Sequence, residues 1–322
     1  MSSTATPKRL VVGVDVGGTK TDAIVLDEQG EILERFRAPT GFGPEAVVRT
    51  ARHAVTALAE AIGITPSDFA SIGVGIPGRV DSPTGVVAHA VNLGLEGLEL
   101  GAVLQDAFGI AVRVENDVNA AAVGAFHLLE LESSSSMAYL NLGTGLAAGL
   151  VLEGELRRGF GGSAGEIGHI PIDPSGPVCA CGQRGCLELF ASGSGVARMW
   201  PTNSERPIHD LFEAARSGHA DAVAVTQKLV EGIAAAVRIL VLSDDVDLVV
   251  IGGGLTSVGQ PLLDGVREVL ARWAADSPFI ASLDLQGRVR LLDSDHAAGS
   301  NADSDLPDRP VAALGAAYLG RG

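Results

Sequence analysis

Two kinds of apolar pattern alternate along the chain. Leu10–Val16, Thr21–Leu26, Ser71–Ile76, Ile110–Glu115, Met137–Asn141, Ala147–Leu152 and Val246–Ile251 are short, largely apolar runs of strand length. Glu31–Arg37 and residues 288–292 read as two further strands. Between them apolar positions recur at helical spacing, which predicts helices over about 44–62, 117–130, 208–217, 221–242, 260–275 and 310–319. The stretch 160–195 is rich in Gly, Cys and Pro and reads as mostly loop, and "DSDHAAGSNADSD" as a surface loop. Strands that alternate with helices place the chain in the α/β class.

One pattern occurs twice. "VGVDVGGTKTDAIVL" (12–26) and "AYLNLGTGLAAGLVL" (138–152) each run a strand into Asp or Asn, turn on Gly, and return as a strand. Asp15 matches Asn141 and Gly17 matches Gly143. This echo predicts two related domains flanking a cleft, with the Gly turns on opposite sides of it.

Composition narrows the function. With 322 residues, 46% of them apolar and 19% charged, the chain is long enough for two cored domains and is not of disordered type. Its net charge is -16 and its cations are thinly spread, so nucleic acid and anionic membrane surfaces are poor partners. No signal-peptide core or membrane-length apolar run is present. The three cysteines, Cys179, Cys181 and Cys186, form one tight cluster, which suits a metal in a reducing cytoplasm better than disulfides.

Five stretches carry candidate chemistry. In "DVGGTK", Gly17 and Gly18 allow close backbone approach, Thr19 and Lys20 add donors, and Asp15 could hold magnesium. A tight hairpin with polar residues is the alternative. Gly143, Thr144 and Gly145 in "LGTG" form a second such turn, and the pair together suits the phosphates of a nucleotide. "VVIGGGL" runs a strand into Gly252, Gly253 and Gly254, where a flat ligand or a closely packed helix would fit. "GVGIPG" matches a dinucleotide fingerprint, but Pro77 and turn residues follow where a helix is required. In "END", Asn116 and Asp117 lie where a strand becomes a helix. They suit a helix cap, or a base with an amide that orients a hydroxyl. "GEIGHIPIDPSGPVCACGQRGCLE" brings His169, Cys179, Cys181 and Cys186 within 18 residues, the ligand complement of a closed structural zinc site. Glu166 and Glu188 flank it and suit hydrogen bonds to a polyol.

Taken together, these motifs resemble the ROK family of sugar kinases and repressors, within the actin-like ATPase (hexokinase-type) superfamily. The resemblance runs from Val12 to about Leu319. It implies two actin-like, ribonuclease H-like domains: a small lobe of 1–116 plus a C-terminal helix of about 310–322, and a large lobe of 117–309 with its zinc loop at 160–195. It implies ATP bound by Gly17, Gly18, Thr19, Lys20, Gly143, Thr144, Gly145, Gly253 and Gly254. Asp117 becomes the catalytic base, and Asn116, Glu166, His169 and Glu188 the sugar contacts, His169 using one ring nitrogen for zinc and one for sugar. Repressor members resemble kinases with an added N-terminal DNA-binding domain. The first strand here begins by residue 10, which points to a kinase. Glucose is the expected acceptor, with N-acetylglucosamine, N-acetylmannosamine, mannose or fructose as alternatives. A non-catalytic sugar sensor is the rival class. The relatives' habit implies a homodimer or homotetramer.

Overall fold

The computed structural model describes residues 9–292 and 310–321. The predicted loop at 293–305 lies outside the described residues. The chain forms two compact units. Among the described residues, the first holds the chain up to Leu131, then Arg158–Ser163 and the C-terminal helix Val311–Arg321; the second holds Glu132–Arg157 and Ala164 onward to residue 292.

The first unit is built on a five-stranded sheet. Its strands are β1 (Val11–Val16), β2 (Lys20–Leu26), β3 (Ile32–Pro39), β4 (Ser71–Ile76) and β7 (Ala111–Asn116), in the order β3-β2-β1-β4-β7. β1 pairs antiparallel with β2 and parallel with β4, and β4 pairs parallel with β7. β1 is covered on both faces, which explains its unbroken apolar run. Val12, Val14 and Val16 pack into a core with Val47, Ala51, Ala54, Val55 and Leu58 of helix α1 (Pro44–Ala61). The alternate positions, Val11, Gly13 and Asp15, look to the other face. There Val11 packs with Ala313, Leu314 and Ala317 of the C-terminal helix.

That helix lies unusually close to the sheet. A Cβ on Gly13 would stand 1.9 Å from the carbonyl oxygen of Ala313, and one on Gly73 would stand 1.7 Å from that of Ala316. Helix α3 (Asp117–Leu128) packs as closely on the same helix: a Cβ on Gly124 would meet the Val311 oxygen at 1.9 Å, and one on Gly315 the Ala120 oxygen at 1.7 Å. The helix after "END" therefore belongs to the first unit, and the boundary falls after Leu131 rather than at 116. Arg158–Ser163 also joins this unit, so the start of the expected zinc loop divides between the two. Gly73, Gly75 and Gly78 of the apparent dinucleotide fingerprint are followed by a short hairpin, β5 (Arg79–Asp81) with β6 (Val86–His89), not by a helix.

The second unit repeats the plan. Its strands β8 (Met137–Leu142), β9 (Leu146–Leu152), β10 (Glu155–Leu156), β11 (Leu248–Gly252) and β12 (Val289–Leu291) are ordered β10-β9-β8-β11-β12, with the same sequence of antiparallel and parallel pairings. The echo seen in one hairpin thus extends to the whole sheet. The long helix Ala220–Asp244 and helix Gln260–Asp276 bury Ile233, Val237, Leu240, Val266 and Leu270 in its core. No described helix is long and apolar enough to cross a membrane.

Candidate active site

In the first unit, one row of side chains crosses the sheet near the carboxyl ends of its parallel strands. Register pairs Arg37 with Asp22, Asp22 with Asp15, Asp15 with Gly75, and Gly75 with Glu115. Gly75 is bare because the row is crowded at that point. A Cβ there would lie 3.1 Å from Ala120 Cβ, 3.7 Å from Asp117 Cα and 3.9 Å from Asp15 Oδ1. The parallel register therefore brings Asp15 and Asp117 together, although 102 positions separate them in sequence.

This gathers negative charge. The Asp15 carboxyl is pushed up to about 7, first by loss of solvation, then by Asp117 and Asp22, while Lys20 pulls the other way. An acid that holds its proton more tightly when folded stabilises the fold fully below its unfolded value, and that stabilisation is lost as pH rises through about 7. In magnesium-free buffer, Asp15→Asn is therefore expected to flatten the dependence of melting temperature on pH between 4 and 7 and to stabilise the protein at pH 8 by about 2–4 kcal/mol. A wild-type slope unchanged by the substitution would count against Asp15 as its source. Such a site is short of positive charge, which fits a divalent cation.

Asp22, which no sequence motif singles out, is 4% exposed and receives three cations: Arg37 at 2.7 Å, Arg35 at 3.0 Å and Lys20 at 3.9 Å. Arg35 and Arg37 stand two apart on β3, as Lys20 and Asp22 do on β2, and those shared faces are the local signs of the cluster.

The two Gly turns are not uniform. Gly17 donates its N–H to the Lys20 oxygen at 2.9 Å, and a Cβ there would stand 2.8 Å from the same oxygen. Gly17 therefore closes the hairpin. The exposed amides of Gly18 and Thr19 donate to no protein acceptor among the described residues and are the ones open to an anion. In the second unit, the carbonyls of Gly143 and Thr144 are tied back by the amides of Gly193 (2.8 Å) and Ser194 (3.1 Å), at the start of helix Gly193–Met199. The amides of Gly143, Thr144 and Gly145 donate to no protein acceptor among the described residues. Gly253, at φ +91°, would bring a Cβ within 2.7 Å of Leu142 and is structural, whereas Gly254 has open space beside it.

Asn116 serves the cap reading. Its Oδ1 accepts from the amides of Val118 (2.9 Å) and Asn119 (3.1 Å), and its Nδ2 donates to the Gly78 oxygen at 3.1 Å. One amide hydrogen is left for a ligand. Asp117 is the first residue of α3, with Oδ1 3.0 Å from the Val118 amide.

The Cys and His cluster assembles. The donor atoms of His169, Cys179, Cys181 and Cys186 all lie within 4.8 Å of one another. Cys181 Sγ is 3.6 Å from Cys186 Sγ, and Cys179 Sγ is 3.8 Å from His169 Nδ1. Zinc–sulfur bonds of about 2.3 Å give a tetrahedral edge of about 3.8 Å, so the spacing fits that ion. Hydrogen bonds from Gln183 pull Cys181 down to about 6, whereas burial pushes Cys179 up to about 12, so the set needs a cation to become fully ionised. Glu188 opens a short helix, Glu188–Ala191, where loop was expected. Its Oε1 lies 3.0 Å from Cys179 Sγ and 3.5 Å from His169 Nδ1, and its Oε2 lies 3.3 Å from where a Gly145 Cβ would be. Glu188 therefore links the cluster to the LGTG turn. Glu166 precedes the 3₁₀ turn Ile167–His169 without a side-chain cap bond, and it is exposed.

The sequence model of the ROK family matches residues 11–300. The chain is similar to the glucokinase of Halalkalibacterium halodurans, 32% identical over 285 residues, which cover 83% of this chain and 86% of that one. It is 32% identical over 264 residues to the N-acetylmannosamine kinase of Citrobacter koseri, covering 81% and 88% of the two chains. Among solved structures, it is similar to a ROK family glucokinase from Streptomyces griseus in complex with glucose and AMPPNP. That similarity has a TM-score of 0.76 and 30% identity, and covers 97% of this chain and 99% of the other.

Proposed function

The chain belongs to the ROK family, and from that premise we propose that it is an ATP-dependent glucokinase that phosphorylates the 6-hydroxyl of glucose. The observation that carries the reading is the meeting of Asp15 and Asp117 at the carboxyl ends of β1 and β7, in a chain 30% identical to a glucokinase solved with glucose and AMPPNP. Asp117 accepts the proton of the attacking hydroxyl. The remaining amide hydrogen of Asn116 orients that hydroxyl, and Glu166, His169 and Glu188 hold the other sugar hydroxyls. The amides of Gly18 and Thr19 with Lys20, and those of Gly143, Thr144 and Gly145, hold phosphate oxygens. Gly17 and Gly253 shape those turns, and Gly254 offers the open surface for adenosine. Magnesium, when bound, supplies charge neutralisation of the β- and γ-phosphates, and Asp15 is the residue that would hold it. The transfer then depends on positioning and charge stabilisation more than on covalent chemistry. Zinc would be held by His169, Cys179, Cys181 and Cys186 with no open position, so its part is to fix His169 and Glu188 in place. We assign the protein to the cytoplasm and to a homodimer or homotetramer.

A hexose panel with magnesium-ATP, followed by ADP release, tests the reading. Glucose is expected to give the highest kcat/KM. N-acetylmannosamine is the second acceptor to include, because a kinase for it is as similar in sequence as the glucokinases are. A higher kcat/KM for that sugar would move the assignment, and sugar binding without ADP release from any hexose would defeat it.

A further inference from the structure

Glu115 is 5% exposed, yet both of its carboxylate oxygens are fully engaged. Oε1 accepts from the Asn116 amide and from Asn119 Nδ2, each at 3.0 Å. Oε2 accepts from Ser82 Oγ at 3.1 Å and from Arg158 Nε at 2.6 Å. Two bonds to each oxygen use its lone pairs. The carboxylate thus ties together the end of β7, the first turn of α3, the β5–β6 turn and the Arg158–Ser163 segment. Among the described residues, Arg158 is the only cation within ion-pair distance of it. The Arg158 side chain is 42% exposed and lines an open cavity of about 720 Å³, together with Thr84, Gln105, Asp106 and Arg113.

We propose that Arg158 is a positioning residue: it offsets the buried charge of Glu115, and Glu115 in turn sets the strand–helix junction that aims Asn116 and Asp117. The inference rests on the reading of Asp117 as the base. Without Arg158, Glu115 is a buried carboxylate with neutral donors only, which is costly. Turning toward the water of the cavity relieves that cost but gives up the bonds to Asn116 and Asn119. The junction then shifts, and a displacement of about 1 Å at a reacting group can cost about 100-fold in rate.

The cavity supplies the test. In the full-length protein, Arg158→Ala is expected to lower kcat roughly 10- to 100-fold while the sugar KM stays within about three-fold of wild type. Guanidinium chloride at tens of millimolar should enter the space left by the side chain and restore part of kcat with saturation. Potassium chloride and urea at equal concentration should not. Wild-type kcat in Arg158→Ala overturns the proposal, as does a loss that guanidinium leaves unchanged and that follows the melting temperature. Should the alanine variant fail to fold, Arg158→Gln, which removes the charge and keeps a polar side chain, carries the test. Reduced kcat with unchanged melting temperature and KM supports the proposal, and unchanged kcat overturns it. A wild-type protein that releases no ADP with any sugar defeats the kinase reading and this inference with it. An active wild type beside a fully active Arg158→Ala defeats only the inference.

Discussion

Asp117→Asn is expected to lower kcat for glucose phosphorylation by roughly 10³-fold, within the range that general bases contribute. The substitution keeps the size and planarity of the side chain and removes its capacity to take a proton. Sugar affinity should change little. The cap of α3 belongs to Asn116, whose Oδ1 holds two amides, so the helix start survives. Removing one of two neighbouring carboxylates also relieves Asp15, whose proton is held partly by the charge of Asp117. The variant should therefore fold at least as stably as wild type, which separates a catalytic loss from a structural one. Calorimetric titration of glucose and a melting curve beside the kinetic measurement check all three points. Turnover within ten-fold of wild type would remove Asp117 from the role of base.

The second large effect is expected from Cys186→Ser. Cys186 is completely buried, and its sulfur lies 3.6 Å from that of Cys181. Serine cannot replace a thiolate in a tetrahedral zinc site, so bound zinc should fall from about one equivalent to near zero. The loop from Ile170 to Cys186 is rich in Gly and Pro, and among the described residues its backbone forms turn hydrogen bonds and two isolated bridges, Pro171 with Cys186 and Val178 with Arg184, rather than a ladder. Structural zinc contributes on the order of 10 kcal/mol to small peptides that fold only around it. Here the sheet of the second unit packs on an apolar core of its own, with Leu140, Ile233, Val237 and Val249, so the cost should be local and fall on His169 and Glu188. The glucose KM is expected to rise about 100-fold, since several charge-assisted hydrogen bonds are misplaced at once. Metal analysis with glucose kinetics tests this. A zinc-free variant with wild-type KM would show that the cluster does not organise the sugar residues.

The central strands were legible because burial on both faces leaves β1, β4, β8 and β11 as nearly continuous apolar runs. The hairpin β5–β6 was not, since strands of three and four residues separated by Pro and Gly carry too little periodicity. Helix α2 (Leu100–Phe108) escaped for a related reason: only Leu100, Gly101 and Leu104 are buried, so its apolar stripe is one turn long. The zinc ligands were plain because four soft donors within 18 residues suit little besides a metal ion. Glu188 stood out as a neighbour of that cluster, but its second contact, beside the LGTG turn, depends on how β9 and the short helix pack.

Chemistry that depends on residue type and short spacing was already present in the chain: a capping Asn before an Asp, two Gly turns with polar donors, and a closed metal set. Which of these groups stay available was decided only by packing. Gly17 and Gly18 are equivalent as text, yet one spends its amide on Lys20 and the other keeps it. Asp15 meets Asp117 because parallel register aligns strand ends far apart in sequence. Glu115 finds its cation 43 positions away. A sequence shows which donors, acceptors and charges a protein owns. Whether each is consumed inside the fold or left for a ligand depends on neighbours that local periodicity does not encode.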